Sequence, residues 1–363
     1  MSHQVPLPDP YNSLSTPELI ERVRRVRKEL GREVVILVHH YQRPEIVPFG
    51  DAIGDSLKLA QFAAAQSTAK YIVYCGVHFM AESADILKQG NQKVILPDLG
   101  AGCDMADMAD ADDVALAWNS LLNILGDNNI IPVTYVNSTA ALKAFVGQNG
   151  GVVCTSSNAE KIITWAFRQK QRIFFFPDQH LGRNTCKHMG IPTTEMNLWN
   201  PKLPLGGISE NSIRSTRVFL WQGNCPVHMG FSEKQIDDLR NKDPNFQIIV
   251  HPECTMEVVD KADFVGSTEL IVQKVSESAA GTKWAVGTEM NLVNRLAAEN
   301  PNKTVISLNR FMCLCGTMNK INLPHLSWAL DSILAGTPKN IITVSEPTRT
   351  FALKSLQRML NLS

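Results

Sequence analysis

Glu33-Val-Val-Ile-Leu-Val38 runs directly into His39-His40-Tyr41-Gln42, and this junction of an apolar run with a polar cluster decides the fold. The β-branched content of the run predicts a buried strand. Residues 16–30, just before it, carry apolar side chains at helical spacing. Further apolar runs follow at 71–74 and 93–96, with a capped helix predicted at 57–65. Strands that alternate with helices predict a parallel sheet covered on both faces.

The same layout starts twice more along the chain. We predict strands at 129–136, 152–154, 172–176 and 217–220, and then at 246–250, 262–265, 283–286 and 304–308. We call each of the three successive sets of strands a round, and each round ends in a turn that carries a cysteine. The three cysteines are Cys103, Cys225 and Cys315. The literal identities between rounds are few, so the layout is repeated and the residues are not. We therefore expect an α/β fold of three similar small domains with parallel sheets, in pseudo-threefold arrangement around a central site.

The cysteine positions set the predicted domain boundaries. The first α/β domain spans 16–105, the second 106–227 and the third 228–318, followed by closing C-terminal helices in 319–363. The second domain is longer because of residues 181–215, which are rich in Pro, Gly and Asn. We predict an inserted loop or flap there.

Composition excludes several classes of partner. The chain has 363 residues, and its 35 basic and 35 acidic side chains cancel. Neither nucleic acid nor a membrane surface is therefore an expected partner. Residues 1–10 contain prolines and lack an apolar core, which argues against a secretory signal. The eight cysteines are then expected to stay reduced in the cytoplasm.

Three thiolates from three similar turns can hold a metal centre. As ligands of a four-iron cluster they leave one iron without protein sulfur, and such an iron can act as a Lewis acid in a dehydration. The alternatives are ordinary buried cysteines and zinc, although Cys313 and Cys315 are too close for the usual zinc spacing. The remaining cysteines are expected to be buried or incidental, with Cys254 nearest the site: Cys75, Cys154, Cys186 and Cys254.

Polar pairs follow the first strand of each round. His39 and Tyr41 project to the same side if the strand continues, because side chains repeat with period two. The same holds for His251 with Glu253 and roughly for Tyr135 with Asn137. These groups suit proton transfer, although each histidine can equally be a polar end to its strand. His228, three residues after Cys225, is expected beside the metal centre.

Hydroxyl residues stand where strands give way to helices. The free backbone N–H groups of a helix start bind carboxylate or phosphate, although simple N-capping is the commoner use of such residues. No Walker loop or Gly-x-Gly-x-x-Gly is present, so neither a nucleoside triphosphate nor NAD is an expected ligand. The hydroxyl residues concerned are Ser56, Ser156, Ser267 and Thr268.

Residues 34–318 contain many short polar motifs in a fixed order. They are His39-His-Tyr-Gln, Gly54-Asp-Ser, Gly76-Val-His-Phe-Met-Ala-Glu, Ala101-Gly-Cys-Asp-Met-Ala-Asp, Tyr135-Val-Asn-Ser, Cys154-Thr-Ser-Ser-Asn-Ala, Gly223-Asn-Cys-Pro-Val-His, His251-Pro-Glu-Cys, Gly266-Ser-Thr, Gly287-Thr-Glu and Cys315-Gly-Thr-Met. Taken in this order, the motifs resemble the quinolinate synthase family, and a chance match in all of them is improbable.

The resemblance implies a cytosolic transferase of NAD biosynthesis that condenses iminoaspartate with dihydroxyacetone phosphate to quinolinate, phosphate and water. It implies a [4Fe–4S] cluster where three α/β domains meet, and the enzyme that supplies iminoaspartate is a candidate partner. The implied cluster ligands are Cys103, Cys225 and Cys315.

The resemblance also assigns roles to the polar residues. His39 and Tyr41 would bind substrate and shuttle protons, while Tyr135 and Asn137 would orient the condensing intermediate. His228 would lie by the substrate near the cluster. His251 and Glu253 would act as acid and base, with Glu253 able to approach the open iron. Substrate carboxylate or phosphate would be held by Ser56, Ser156, Ser267 and Thr268.

One departure from the family pattern concerns the last ligand. Some members carry C-x-x-C-x-x-C there, whereas this chain has only Cys313-Leu-Cys315. The shorter motif argues against a regulatory disulfide and leaves Cys313 as an alternative ligand, although the spacing from Cys315 to Met318 favours Cys315. Outside the family, an iron–sulfur sensor or scaffold and a zinc-dependent lyase on the same fold are the other hypotheses.

Overall fold

The computed structural model describes residues 6–9, 11–126, 129–311 and 314–363. Each apolar run from which a strand was predicted contains a strand, and the strands at residues 52–54, 196–199 and 341–342 were not predicted. The strands are β1 (Val34–His39), β2 (Ala52–Gly54), β3 (Tyr71–Cys75), β4 (Lys93–Ile95), β5 (Ile130–Tyr135), β6 (Val152–Cys154), β7 (Arg172–Phe176), β8 (Met196–Trp199), β9 (Val218–Trp221), β10 (Phe246–Val250), β11 (Phe264–Val265), β12 (Lys283–Gly287), β13 (Thr304–Ser307) and β14 (Ile341–Ile342).

Helices occupy most of the connections between strands. They are α1 (Thr16–Leu30), α2 (Ser56–Ala65), α3 (His78–Leu87), α4 (Ala111–Leu125), α5 (Ala140–Gln148), α6 (Ala159–Gln169), α7 (Gln179–His188), α8 (Glu210–Ser215), α9 (Glu233–Lys242), α10 (Met256–Lys261), α11 (Thr268–Glu277), α12 (Met290–Glu299), α13 (Leu323–Leu334) and α14 (Thr348–Leu362). Within the residues that the structure describes, no helix combines the length and the apolar character needed to cross a membrane.

The strands form three sheets in which parallel pairing dominates, which confirms the α/β class. Their orders are β14-β4-β3-β1-β2, β6-β5-β7-β9-β8 and β11-β10-β12-β13. The antiparallel pair among them joins β14 to β4. A parallel sheet presents the carboxyl ends of its strands at one edge, so the polar residues that follow β5, β10 and β12 project from edges of this kind.

By contacts, the chain forms two compact units. The first comprises residues Met1–Cys103, Met290–Arg295 and Cys313–Val344 and contains the first sheet. The second comprises Asp104–Glu289, Leu296–Met312 and Ser345–Ser363 and contains the other two sheets. The finer division at residues 105, 227 and 318 and the pseudo-threefold arrangement stay predictions.

The core of the second sheet is aromatic. Phe174 and Phe176 on β7 lie 5.2 Å apart by ring centroid, and Trp199 and Trp221 pack onto Phe174 at 6.1 Å each. All four side chains are at most 3% exposed. Burial of these aromatic side chains stabilises the sheet at β7 and β9, and so supports the residues that follow these two strands.

The prediction of a loop or flap at residues 181–215 is wrong for most of that stretch. It contains the rest of α7, the strand β8 and the helix α8. β8 pairs in parallel with β9 and adds an edge strand to the sheet. Some of the Pro, Gly and Asn residues that suggested a loop lie at turns between these short elements, as in Pro204–Gly207, whereas Gly182 and Asn184 lie within α7.

Candidate active site

The turn that follows β10 carries buried polar residues, His251 and Glu253. The Cys254 amide donates to the His251 carbonyl at 3.0 Å, which closes a turn with Pro252 and Glu253 at its centre. Proline is favoured at the first central position of such turns because its φ is already fixed. Glu253, at the second central position, is only 2% exposed. A carboxylate this deeply buried requires partners.

Glu253 has three such partners. Its Oε2 lies 2.7 Å from His228 Nδ1 and 3.8 Å from His251 Nδ1, and the Tyr135 hydroxyl donates to the carboxylate. Burial opposes ionisation of Glu253, but the two histidines and the hydrogen bonds from His228 and Tyr135 outweigh it and lower its pKa to about 2. Glu253 is therefore an anion at neutral pH although water is excluded from it.

The two histidines stack and differ in what they contact. Their ring centroids lie 4.5 Å apart with an interplanar angle of 17°. His251 Nε2 lies 3.3 Å from Ser156 Oγ, and burial lowers the pKa of His251 to about 3, so this ring is neutral at pH 7. His228 Nε2 lies 3.2 Å from Thr288 Oγ1. Thr288 follows β12 in the Gly287-Thr288-Glu289 motif, which could have marked it as a site residue.

Cys225 adjoins this cluster. Its Sγ, a His228 ring nitrogen and a Glu253 carboxylate oxygen all lie within 4.8 Å of one another. The turn before Cys225 contacts the start of α7, because the Gln179 amide donates to the Gly223 carbonyl at 3.0 Å. Only glycine fits at position 223, since a Cβ there would lie 2.3 Å from the Pro177 carbonyl oxygen.

A second buried carboxyl lies near Glu253. Asp178, fully buried, caps α7 by accepting from the Leu181 amide at 2.6 Å. Burial and the charge of Glu253 raise the pKa of Asp178 well above its ordinary value. Two neighbouring buried carboxyls therefore have pKa values shifted in opposite directions, upward for Asp178 and downward for Glu253.

The first unit contains the predicted pair of His39 and Tyr41. The rings of His39 and Tyr41 meet edge to face with centroids 4.8 Å apart, and the Tyr41 amide lies 3.2 Å from His39 Nδ1. Asn291 Nδ2 donates to the Tyr41 carbonyl at 3.1 Å and to Asn319 Oδ1 at 3.3 Å. Asn319 Nδ2 in turn donates to the Cys315 carbonyl at 3.1 Å. Amide side chains therefore connect the loop after β1 with the turn of Cys315, an arrangement that sequence reasoning missed.

The helix starts serve partly as caps. Ser267 Oγ accepts from the Leu270 amide at 3.3 Å and caps α11, with Thr268 as the first helical residue. Asp55 caps α2 by accepting from the Lys58 amide at 2.9 Å, and Ser56 is the first helical residue. Asn137 is different, because its buried Oδ1 has no hydrogen-bond partner among the residues described. A substrate N–H or O–H would satisfy that acceptor.

The cysteines fall into two groups by burial. Cys75, Cys154, Cys186 and Cys254 are buried, whereas Cys103, Cys225 and Cys315 are half-buried. Burial raises the pKa of the Cys75 and Cys186 thiols to about 12 and that of Cys154 and Cys254 in the same direction.

Because metal ligands are thiolates, the half-buried group is the one whose chemistry fits a cluster. The position of Cys225 Sγ beside donors from His228 and Glu253 agrees with that fit. Cys313, the alternative ligand, lies outside the described residues.

The structure thus assembles part of the predicted site and leaves the roles of its residues untested. Tyr135, Ser156, His228, His251 and Glu253 come together in the second unit. The same unit contains Asn137, Cys225, Ser267 and Thr268, and the first unit contains His39, Tyr41, Ser56, Cys103 and Cys315.

Comparison with known proteins gives a consistent result. Residues 21–361 match the family model described as quinolinate synthetase A protein. The quinolinate synthase of Listeria innocua is 54% identical over 360 residues, which cover 98% of this chain and 97% of the relative. Those of Anoxybacillus flavithermus and Bacillus cereus are 52% and 51% identical, each over 98% of this chain and 96% of the relative. Matches of this length and identity confirm the resemblance seen in the motifs and show that the chain belongs to the quinolinate synthase family.

Proposed function

We propose that this chain condenses iminoaspartate with dihydroxyacetone phosphate to form quinolinate, phosphate and water, as a cytoplasmic transferase of NAD biosynthesis. One observation carries the proposal: a buried, ionised Glu253 lies 2.7 Å from His228 Nδ1 and within 4.8 Å of Cys225 Sγ. Ring formation of this kind needs carbon and oxygen protons to be moved and hydroxyl groups to be lost. A desolvated carboxylate beside histidine is suited to the first task.

We further propose that Cys103, Cys225 and Cys315 hold a [4Fe–4S] cluster. When bound, the cluster supplies a Lewis-acidic iron that favours loss of a substrate hydroxyl. The chemistry of the donor set supports this, since these three cysteines are the half-buried ones among those described.

Glu253 is proposed as the base of the second unit. Its lowered pKa keeps the carboxylate ionised at neutral pH, and a base this weak takes up a proton only transiently. A proton taken from substrate by Glu253 Oε2 would be shared with His228 Nδ1 at 2.7 Å. His251, neutral at pH 7, can accept a proton from one partner and pass one to another. Ser156, 3.3 Å from His251 Nε2, would orient that ring and bind substrate.

The remaining polar residues are proposed to bind the substrates. Asn137 offers a buried carbonyl oxygen to a substrate N–H. Ser267 and Thr268 stand at the N-terminus of α11, where backbone N–H groups favour an anion. In the first unit, Ser56 opens α2 and would bind an anion likewise, while His39 and Tyr41 would bind substrate and shuttle protons. The enzyme that supplies iminoaspartate remains a candidate partner.

The test is an anaerobic assay with both substrates, in which quinolinate and phosphate are measured together. We expect both products in equal amounts, and neither when iminoaspartate or dihydroxyacetone phosphate is omitted. Absence of quinolinate from protein that retains its full iron content would refute the proposed reaction.

The Cys225–His228–Glu253 group also favours a second candidate, a zinc-dependent lyase, because sulfur, imidazole and carboxylate are all zinc ligands. Metal analysis of anaerobically prepared protein separates the two. One equivalent of zinc without iron or sulfide would support the lyase, whereas iron with equivalent sulfide supports the cluster.

A further inference from the structure

Asn184 lies on α7, in the stretch where the sequence predicted a loop, and its side chain reaches the turn of Glu253. Its Nδ2 donates to the Pro252 carbonyl at 2.9 Å and to the Cys254 carbonyl at 2.8 Å. The side chain is 6% exposed. Both amide hydrogens are therefore used in water-excluded hydrogen bonds to main chain 68 and 70 residues further along.

The two carbonyls that Asn184 binds stand on either side of Glu253. Within the turn, the Cys254 amide donates to the His251 carbonyl at 3.0 Å and the Glu253 amide donates to His251 Nδ1 at 3.4 Å. Neither of these bonds uses the Pro252 or the Cys254 carbonyl, which are the two groups that Asn184 binds. Because the Asn184 amide donates to both carbonyls, it fixes the peptide planes on either side of Glu253. The direction in which the Glu253 side chain leaves the backbone is then fixed as well.

The other end of α7 contacts the turn of Cys225. Gln179, its first residue, donates its amide to the Gly223 carbonyl at 3.0 Å, and Asp178 forms a parallel bridge with Gly223. Lys187 at the last turn forms an exposed ion pair with Asp260 on α10, with nitrogen and oxygen 2.5 Å apart. One short helix is therefore fixed at its start to the Cys225 turn and along its length to the Glu253 turn.

We propose that Asn184 is a positioning residue that holds Glu253 in register with Cys225 and His228. The proposal rests on the proposed function of Glu253 as the base. Asn184 touches neither substrate nor metal in this scheme, and it acts only through the main chain on both sides of Glu253. A small misplacement of a catalytic group is costly, because about 1 Å of error can reduce turnover about 100-fold.

The test is the Asn184→Ala variant, with Asn197→Ala as the matched control. Asn197 lies in the same stretch and is partly buried, and its Nδ2 donates to Thr216 Oγ1 at 2.6 Å, away from Glu253. We expect Asn184→Ala to lower kcat about 10- to 100-fold with a change in KM of less than about 3-fold. We expect iron and sulfide content to stay at the wild-type level. Asn197→Ala should leave both kinetic constants unchanged.

Hydrogen–deuterium exchange gives a readout that does not depend on turnover. The amides of Glu253 and Cys254 should exchange faster in Asn184→Ala than in wild type, and at the wild-type rate in Asn197→Ala. If Asn184→Ala does not accumulate as folded protein, Asn184→Ser replaces it. Serine retains one donor, so an intermediate loss of kcat is expected.

The outcomes separate this inference from the proposed function. Wild-type kcat together with unchanged exchange at Glu253 and Cys254 would overturn the role of Asn184. A loss of iron in parallel with kcat would also overturn it, since it would make Asn184 a determinant of cluster assembly. If wild-type protein forms no quinolinate, the proposed function fails, while the exchange comparison still tests the positioning.

Discussion

Replacing Glu253 with glutamine is expected to reduce kcat about 100- to 10,000-fold, the range that a general acid or base supplies. The structure gives the reason. Glu253 Oε2 lies 2.7 Å from His228 Nδ1 and can take up a substrate proton, whereas the neutral amide of glutamine keeps the shape of the side chain but cannot act as a base. Each factor of ten in rate corresponds to about 1.4 kcal/mol, so the expected loss is a barrier increase of about 3–5 kcal/mol.

The assay measures kcat and KM under anaerobic conditions after iron and sulfide have been counted in each sample. Glu257→Gln is the control, because Glu257 lies four residues further on, in the first turn of α10, and is exposed. That variant should behave as wild type. If the Glu253→Gln protein had a normal cluster and the wild-type kcat, Glu253 would not be the catalytic base.

Three further outcomes are expected. Tyr135→Phe removes a donor to Glu253 and should lower kcat about 10-fold with iron content unchanged. Gly147→Ala places a Cβ 2.0 Å from the Phe351 carbonyl oxygen, between α5 and α14. The variant should lower the free energy of unfolding, measured in urea, by about 1–3 kcal/mol. Burial lowers the pKa of His180 from 6.5 to about 4. Between pH 6.5 and about pH 4, His180 is therefore protonated in the unfolded chain and neutral in the folded protein. As the pH is lowered through this range, the free energy of unfolding should decrease by up to about 1.4 kcal/mol per pH unit. The His180→Gln variant should show a shallower dependence, and an equal slope would contradict this.

The sequence predicted the strands well because their signal is local. The β-branched run of β1 and the aromatic run of β7 are buried along nearly their whole length, as parallel strands in a covered sheet must be. The pairing of His251 with Glu253 also follows from local geometry, since both stand in one closed turn. The class of the fold and the part of the site on that turn were therefore accessible from sequence.

Residues that act across the chain were not accessible in this way. Asn184 binds main chain 68 and 70 residues away, and no local pattern distinguishes it from an ordinary polar helix residue. β8 was hidden because four residues between turn-forming segments carry a weak strand signal, although Trp199 anchors them in the aromatic core. Asp55 and Ser56 are both good caps by type, and only the bond from the Lys58 amide decides between them.

The most direct test of the central claim is the iron and sulfide content of anaerobically prepared protein and of its cysteine variants. We predict about four of each per chain in wild type, and in the buried-cysteine control Cys186→Ser. Single replacements of Cys103, Cys225 or Cys315 with serine should each abolish the cluster. A normal cluster in any one of those three variants would contradict the assignment of that ligand and the account built on it.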